Sequence, residues 1–132
     1  MYNAGDVVML KYNTFKQGEG KDIIVKKHPF VITDINDNVI SVASTSSKTN
    51  KVSDKYPYNI PVIDYENANF KYPTHIKTDH TGIIDVTDIY KYIGTLSIND
   101  KRKMLYNINK CPDNKKIIME DLSLFKFLKG IK

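Results

Sequence analysis

Apolar residues in the first half of the chain fall in short β-branched runs, set apart by polar, turn-forming segments. Val7-Val8-Met9-Leu10 follows Gly5-Asp6 and gives way to Lys11-Tyr12-Asn13, the pattern of a buried strand. Asn13 to Asp22 carries two glycines and four charges and predicts an exposed loop. Ile23-Ile24-Val25 and Phe30-Val31-Ile32 predict a second strand region, interrupted by Lys26-Lys27-His28-Pro29. Pro29 removes a ladder donor, which puts this stretch at a sheet edge or a bend. Asp34 to Asn38 is a turn signal, and Val39 to Ser44 alternates as another strand.

Thr45 to Tyr56 is polar without an apolar period and reads as a loop. Ile60-Pro61-Val62-Ile63, Thr74-His75-Ile76-Lys77 and Gly82-Ile83-Ile84 predict three more short pieces of sheet. So many short strands at close spacing favour a small, strongly bent antiparallel sheet or barrel. The pattern changes after Gly94-Thr95-Leu96-Ser97. Ser97 with Asp100 resembles a capping box with Asp in place of Glu, and Ile98, Met104, Leu105 and Ile108 recur at helical spacing as far as about Asn109, before Pro112. Ile118, Leu122, Phe125 and Leu128 predict a second helix ending near Gly130. The expected class is mostly β (α+β), a small bent antiparallel sheet or barrel with C-terminal helices.

Length adds the expectation that the 132 residues form a single domain. The lone Cys111 excludes an internal disulfide framework and a multi-cysteine zinc site. No apolar run reaches the ~18–20 residues of a membrane span, and the first residues carry no leader pattern; the expectation is a cytoplasmic protein with no membrane contact. The net charge of +5 suits an anionic partner such as nucleic acid, and equally suits an ordinary soluble surface. Arg102 is the single arginine, so the other 19 of 20 cationic side chains are lysines. Lysine is a flexible point charge, whereas arginine clamps a phosphate with two bonds. Tyr56, Tyr58, Tyr65 and Tyr72 cluster beside Lys55 and Lys71. Such interleaving fits single-stranded nucleic acid or a partly buried dimer face.

Several segments, in order, resemble the PemK/MazF-like family, the endoribonuclease toxins of bacterial toxin–antitoxin pairs. They are Gly5-Asp6-Val7-Val8, Lys27-His28-Pro29-Phe30-Val31-Ile32, Val42-Ala43-Ser44-Thr45-Ser46, Tyr58-Asn59-Ile60-Pro61-Val62, Tyr72-Pro73-Thr74-His75-Ile76, Gly82-Ile83-Ile84-Asp85 and Ile93-Gly94-Thr95-Leu96-Ser97. The resemblance covers about residues 5–110 and leaves 111–132 as a helical extension. It implies an SH3-like barrel, a homodimer, a single-stranded RNA groove at the dimer interface, and a cognate antitoxin that fills it. It also implies cleavage without a metal or cofactor, by attack of the substrate's own 2′-hydroxyl.

That chemistry needs a base, an acid for the leaving oxygen, and donors or cations for the phosphoryl oxygens. His28 stands where the family carries arginine. A histidine serves as base or acid near neutral pH, and Lys26 and Lys27 would favour its neutral form by like-charge repulsion. The substitution also fits a weakened nuclease, or a structural residue before a proline. Thr45 falls at the family's active-site hydroxyl, a donor for a phosphoryl oxygen; the plainer reading makes Ser44 to Ser47 strand-ending residues.

Lys16 and Gln17 in the first loop, with Lys27, Ser44, Ser46, Lys48 and His75, are the RNA-binding candidates. The residues taken alone favour the plainer reading, a surface loop for Lys16 and Gln17 and a strand end for Ser44 and Ser46. Asp85 and Asp88 lie near the segment where some family members place a helping acid, and both also suit the end of a strand. His75 and His80 are five apart, without a third histidine or a cysteine pair at ligand spacing, so no metal site is expected. The rival to the RNA nuclease is a non-catalytic SH3-like module that binds nucleic acid or protein. A gyrase-poisoning, DNA-binding relative on the same fold is the third option.

Overall fold

The computed structural model describes residues 1–11, 29–47 and 56–119. Among these residues seven strands form one sheet: β1 (Asp6–Leu10), β2 (Phe30–Asn36), β3 (Val39–Ser46), β4 (Asn59–Pro61), β5 (His75–Asp85), β6 (Ile89–Thr95) and β7 (Ile117–Ile118). An α-helix, α1 (Ile98–Lys110), follows β6. The sheet order is β4-β5-β3-β2-β1-β6, antiparallel throughout, and β7 adds a parallel pairing to β5. The architecture is the mostly-β α+β class that the patterning predicts. Among the described residues no ladder joins β4 to β6, so the sheet stays open where a barrel would close.

Both faces of the sheet are covered. Val7, Val31, Ala43, Ile60 and Ile76 pack with Leu96, Met104, Ala68 and Phe70 on one side. Val8, Leu10, Phe30, Ile32, Ile40, Val42, Ile84 and Ile89 pack together on the other. Successive residues of a strand point to opposite faces. Burial of both faces is why β1 and the start of β2 read as unbroken apolar runs rather than alternating ones. Gly5, at φ 93°, turns the chain into β1; its N–H donates to Ile32 O at 2.7 Å and its carbonyl accepts from Leu96 N at 2.9 Å.

Several expectations change. β2 and β3 run further than the pattern suggests and meet in a two-residue turn, Asp37-Asn38, where Asp37 takes a left-handed φ of 57°. Thr45 and Ser46 belong to β3 rather than to a loop, because Ile76 and His75 supply their ladder partners. The two apolar pieces at 74–77 and 82–84 are one strand, β5. Ser44 pairs with Lys77 and Ala43 with Thr81, so Thr78, Asp79 and His80 make an irregularity that hides the continuity.

α1 starts at Ser97, whose Oγ accepts from Asp100 N at 3.2 Å, and its buried side chains are Asp100 and Met104. Ile98, expected on the apolar face, is exposed. Ile118 was the first position of the expected second helix; it lies instead in β7, beside Thr81. Short β4 reaches only His75 to Lys77 of β5 and leaves backbone at His80 and Thr81 for β7 to pair with. The remainder of that expected helix, the Ile23–Val25 strand and the Asn13–Asp22 loop fall outside the described residues.

Candidate active site

The loop between β4 and β5 is tied down at several points. Val62 N donates to Thr74 O at 2.8 Å and closes its base, while Asn69 N bonds Glu66 O and Phe70 N bonds Tyr65 O, both at 3.0 Å. Ala68 and Phe70 are buried beneath it, and Asn69 adopts a left-handed φ of 63°. Two later elements grip it. The Asn69 side-chain amide donates to Ile93 O of β6 at 2.8 Å. The Asp100 carboxylate of α1, only 2% exposed, accepts from Ile63 N at 3.1 Å and from Asp64 N at 2.9 Å. Asp100 therefore does more than the cap that the sequence pattern suggests.

Ala68 also packs directly on Gly94. A Cβ there would meet the Ala68 carbonyl oxygen at 2.4 Å, so only glycine lets loop and strand approach this closely.

This clamped loop, β6 and the end of β3 enclose a groove of about 700 Å³. Pro29 and Thr45 to Ser47 line one part, Asn69 to Tyr72 with Thr74 a second, and Lys91 to Ile93 with Met9 a third. The volume lies in the ~300–1,000 Å³ range of ligand-binding clefts. Lys71 and Lys91 are exposed and give the groove its positive charge.

Thr45 lines the groove at only 4% exposure, and its hydroxyl donates to Pro29 O at 2.6 Å. The bond ties the end of β3 to the residue that follows His28. With its proton on that carbonyl, the hydroxyl offers lone pairs, and donation to a ligand requires it to rotate. Ser46 is half-buried and also lines the groove. Ser44 is buried one position earlier.

His75 departs from the expectation of an RNA contact: it is 2% exposed, inside β5 opposite Ser46 and Pro61. It is buried within the sheet, next to Thr74, which lines the groove. Asp85 and Asp88 are likewise elsewhere. Asp85 accepts from Thr87 N at 2.9 Å and from its Oγ1 at 2.6 Å, and Asp88 Oδ2 accepts from Asp85 N at 3.0 Å. The two carboxylates close the 3₁₀ turn Val86–Asp88 between β5 and β6. The Thr87 hydroxyl, and then its N–H, hold the Asp85 carboxyl below the usual range. Lys16, Gln17, Lys27, His28 and Lys48 lie outside the described residues.

Asn69, Lys91 and Tyr92 are groove residues that strand and helix patterning did not single out. The sequence Tyr90-Lys91-Tyr92, an aromatic–basic alternation, is the signal that would have drawn attention to β6.

Away from the groove, His80 Nε2 lies 3.9 Å from Asp79 Oδ1. Burial lowers the His80 pKa below its usual 6.5, Lys77 adds to the effect, and Asp79 opposes it. Burial pushes the Cys111 thiol up, helped by Asp79 and Asp113. Among the described residues no three His, Cys, Asp or Glu side chains are grouped to hold a metal ion. No described helix is long and apolar enough to cross a membrane.

No known family model matches the sequence, and no curated protein matches it either. Solved structures do match the fold. MazF (Form-I) from Deinococcus radiodurans superposes with a TM-score of 0.59 at 12% identity, over 83% of this chain and 94% of that one. An endoribonuclease in complex with its cognate antitoxin, from a mycobacterial species, gives 0.53 at 10% identity, over 81% and 88%. The Mycobacterium tuberculosis toxin MazF-mt6 gives 0.52 at 17% identity, over 78% and 93%. At such identities the likeness is one of fold: this chain has the fold of the MazF toxins.

Proposed function

We propose that this chain is the toxin of a toxin–antitoxin pair, an endoribonuclease that cuts single-stranded RNA by attack of the 2′-hydroxyl on the adjacent phosphorus. A base removes the 2′ proton, O2′ bonds to phosphorus, and the 5′-oxygen leaves with a proton from an acid, giving a 2′,3′-cyclic phosphate and a 5′-hydroxyl. His28 is the base or acid. Thr45 Oγ1 rotates from Pro29 O to a phosphoryl oxygen as charge develops there, and Lys27 and Lys48 neutralise the phosphate. Ser46 lines the path of the strand. The protein acts in the cytoplasm as a homodimer, and a cognate antitoxin occupies the groove when the toxin is silent.

One observation carries this reading. Thr45 lies in the groove, hydrogen-bonded to the residue that follows His28, in a fold shared with MazF endoribonucleases. A second reading rests on the same bond. A hydroxyl that is 4% exposed and already donating to Pro29 O suits a site whose chemistry has lapsed, leaving a binding module.

Incubation of the pure protein with end-labelled single-stranded RNA in chelator separates the two. Cleavage that falls at least ~10²-fold in His28→Ala and Thr45→Ala supports the nuclease and its site. Cleavage unchanged in both variants sinks the site assignment, and no product between pH 5 and 9 sinks the nuclease.

A further inference from the structure

Two large aromatic rings stand exposed inside the groove although its surroundings are firmly built. Tyr72, from the clamped loop, is 67% exposed, and Tyr92, from β6, is 53% exposed. Each is preceded by a lysine that also lines the groove, Lys71 and Lys91.

Tyr92 is held at its far end. Its hydroxyl lies 2.5 Å from Thr95 Oγ1, which donates to Asp6 Oδ1 at 2.9 Å. The Asp6 carboxylate accepts only, so the Thr95 proton goes to it and the Tyr92 hydroxyl donates to Thr95. Buried Asp6 is anchored in turn, its Oδ2 accepting from Asn3 N at 2.8 Å. The Tyr72 backbone is pinned as well, since its carbonyl accepts from Thr74 Oγ1 at 2.8 Å. The Asn69–Ile93 hydrogen bond and the close packing of Ala68 on Gly94 carry both tyrosines on one frame.

We propose that Tyr72 and Tyr92 are stacking platforms for two bases of a single-stranded RNA, with Lys71 and Lys91 meeting its phosphates. The proposal rests on the RNA-groove reading above and deepens it. Rings held open to solvent match ligands with flat faces, and the neighbouring cations match a ligand with a negative backbone; single-stranded nucleic acid combines both. Every base has such a face, so the platforms fix the position of the strand and leave base choice to other contacts. Thr95 is a positioning residue, acting through Tyr92.

The test uses the full chain and a fluorescein-labelled 2′-O-methyl oligonucleotide, which lacks the attacking hydroxyl and cannot be cut, followed by anisotropy at fixed salt. Tyr72→Ala and Tyr92→Ala each weaken binding roughly 5- to 150-fold. Neither alters binding of an oligonucleotide with abasic sites along its length. Tyr92→Phe and Thr95→Val keep the ring but lose the relay, and fall a few-fold. Tyr72→Trp retains affinity and gives the tryptophan-free chain a fluorophore that stacking quenches.

Binding of the intact oligonucleotide at wild-type strength by both alanine variants, or no quenching in Tyr72→Trp, overturns the proposal. So does capture of an extended peptide, but no oligonucleotide, by the wild type. The outcome separates cleanly from the nuclease reading. RNA cleavage with unchanged binding in the alanine variants removes only the platforms, whereas tyrosine-dependent binding without any cleavage removes only the nuclease.

Discussion

The carboxylate of Asp100 takes the backbone N–H of Asp64 at 2.9 Å, across 36 residues of chain. It takes the N–H of Ile63 as well, so one buried side chain at the head of α1 satisfies two amides of the groove loop. Asp100→Ala leaves both without that partner and is expected to cost about 2–3 kcal/mol in urea unfolding. Asp100→Asn keeps one acceptor and loses less. Equal losses in the two variants would mean that the carboxylate acts only as a helix-end charge.

Gly94→Ala places a methyl group where the Ala68 carbonyl already sits. The nearest atoms are Ala68 backbone, which cannot swing aside as a side chain can, and the expected loss is about 1–3 kcal/mol, read as a lower midpoint in thermal unfolding. A midpoint within error of wild type would show that the loop can lift from β6 at no cost.

Thr45 has a structural bond and a proposed chemical role, and two substitutions pull them apart. Thr45→Val loses the bond to Pro29 O, about 1 kcal/mol of stability, and on the nuclease reading ~10²–10³-fold in cleavage. Thr45→Ser keeps a hydroxyl and retains most of both. Unfolding and RNA cleavage measured on the same preparations check the pair; cleavage that only tracks the folded fraction would leave Thr45 a purely structural residue.

His80 titrates below its usual value, chiefly from burial. Between the folded and unfolded pKa values the unfolded chain binds more protons, so stability rises with pH across that interval. The contribution of neutral His80 is complete above about 6.5 and is lost as pH falls below it. His80→Gln stays neutral. Between pH 7.5 and 5, its melting temperature is expected to fall less steeply than that of the wild type; parallel curves would exclude His80 as a source of the acid sensitivity.

Cys111 is buried with its pKa raised, first by burial and then by Asp79 and Asp113. The reactive species of cysteine is the thiolate. In the folded protein a thiol reagent is therefore expected to label it slowly, and rapidly once urea unfolds the chain. Fast labelling under native conditions would place the thiol at the surface.

Local periodicity reveals the elements but not their partners. Val7 and Val8 announce a strand buried on both faces, and Met104 with Leu105 announces the helix, because period and burial are written in neighbouring residues. The junction of β3 with its loop is not local. Thr45 and Ser46 look like turn residues until Ile76 and His75 are placed beside them. Ile118 reads as helical because its period is right, yet the open backbone at Thr81 makes it a strand residue.

The candidate site divides in the same way. Thr45 and Ser46 are legible through the hydroxyl run after β3, and Tyr72 through its neighbours Lys71 and Tyr65. Asn69, Gly94 and Asp100, which hold the groove in shape, are not. Each matters for a backbone atom far along the chain, and nothing in its own neighbourhood marks that atom. His75 misleads for the converse reason: a histidine beside functional segments looks like chemistry, and only tertiary packing buries it.

β1 lies between β2 and β6, and Asp6 meets Thr95 across 89 positions. During synthesis the amino-terminal strand must therefore wait, one edge unsatisfied, until most of the chain has left the ribosome. A groove that needs β6, and a loop that needs α1 to clamp it, cannot exist on an unfinished chain. A chain that ends before Ile89 carries Thr45 and Ser46 but lacks the strand that completes their groove.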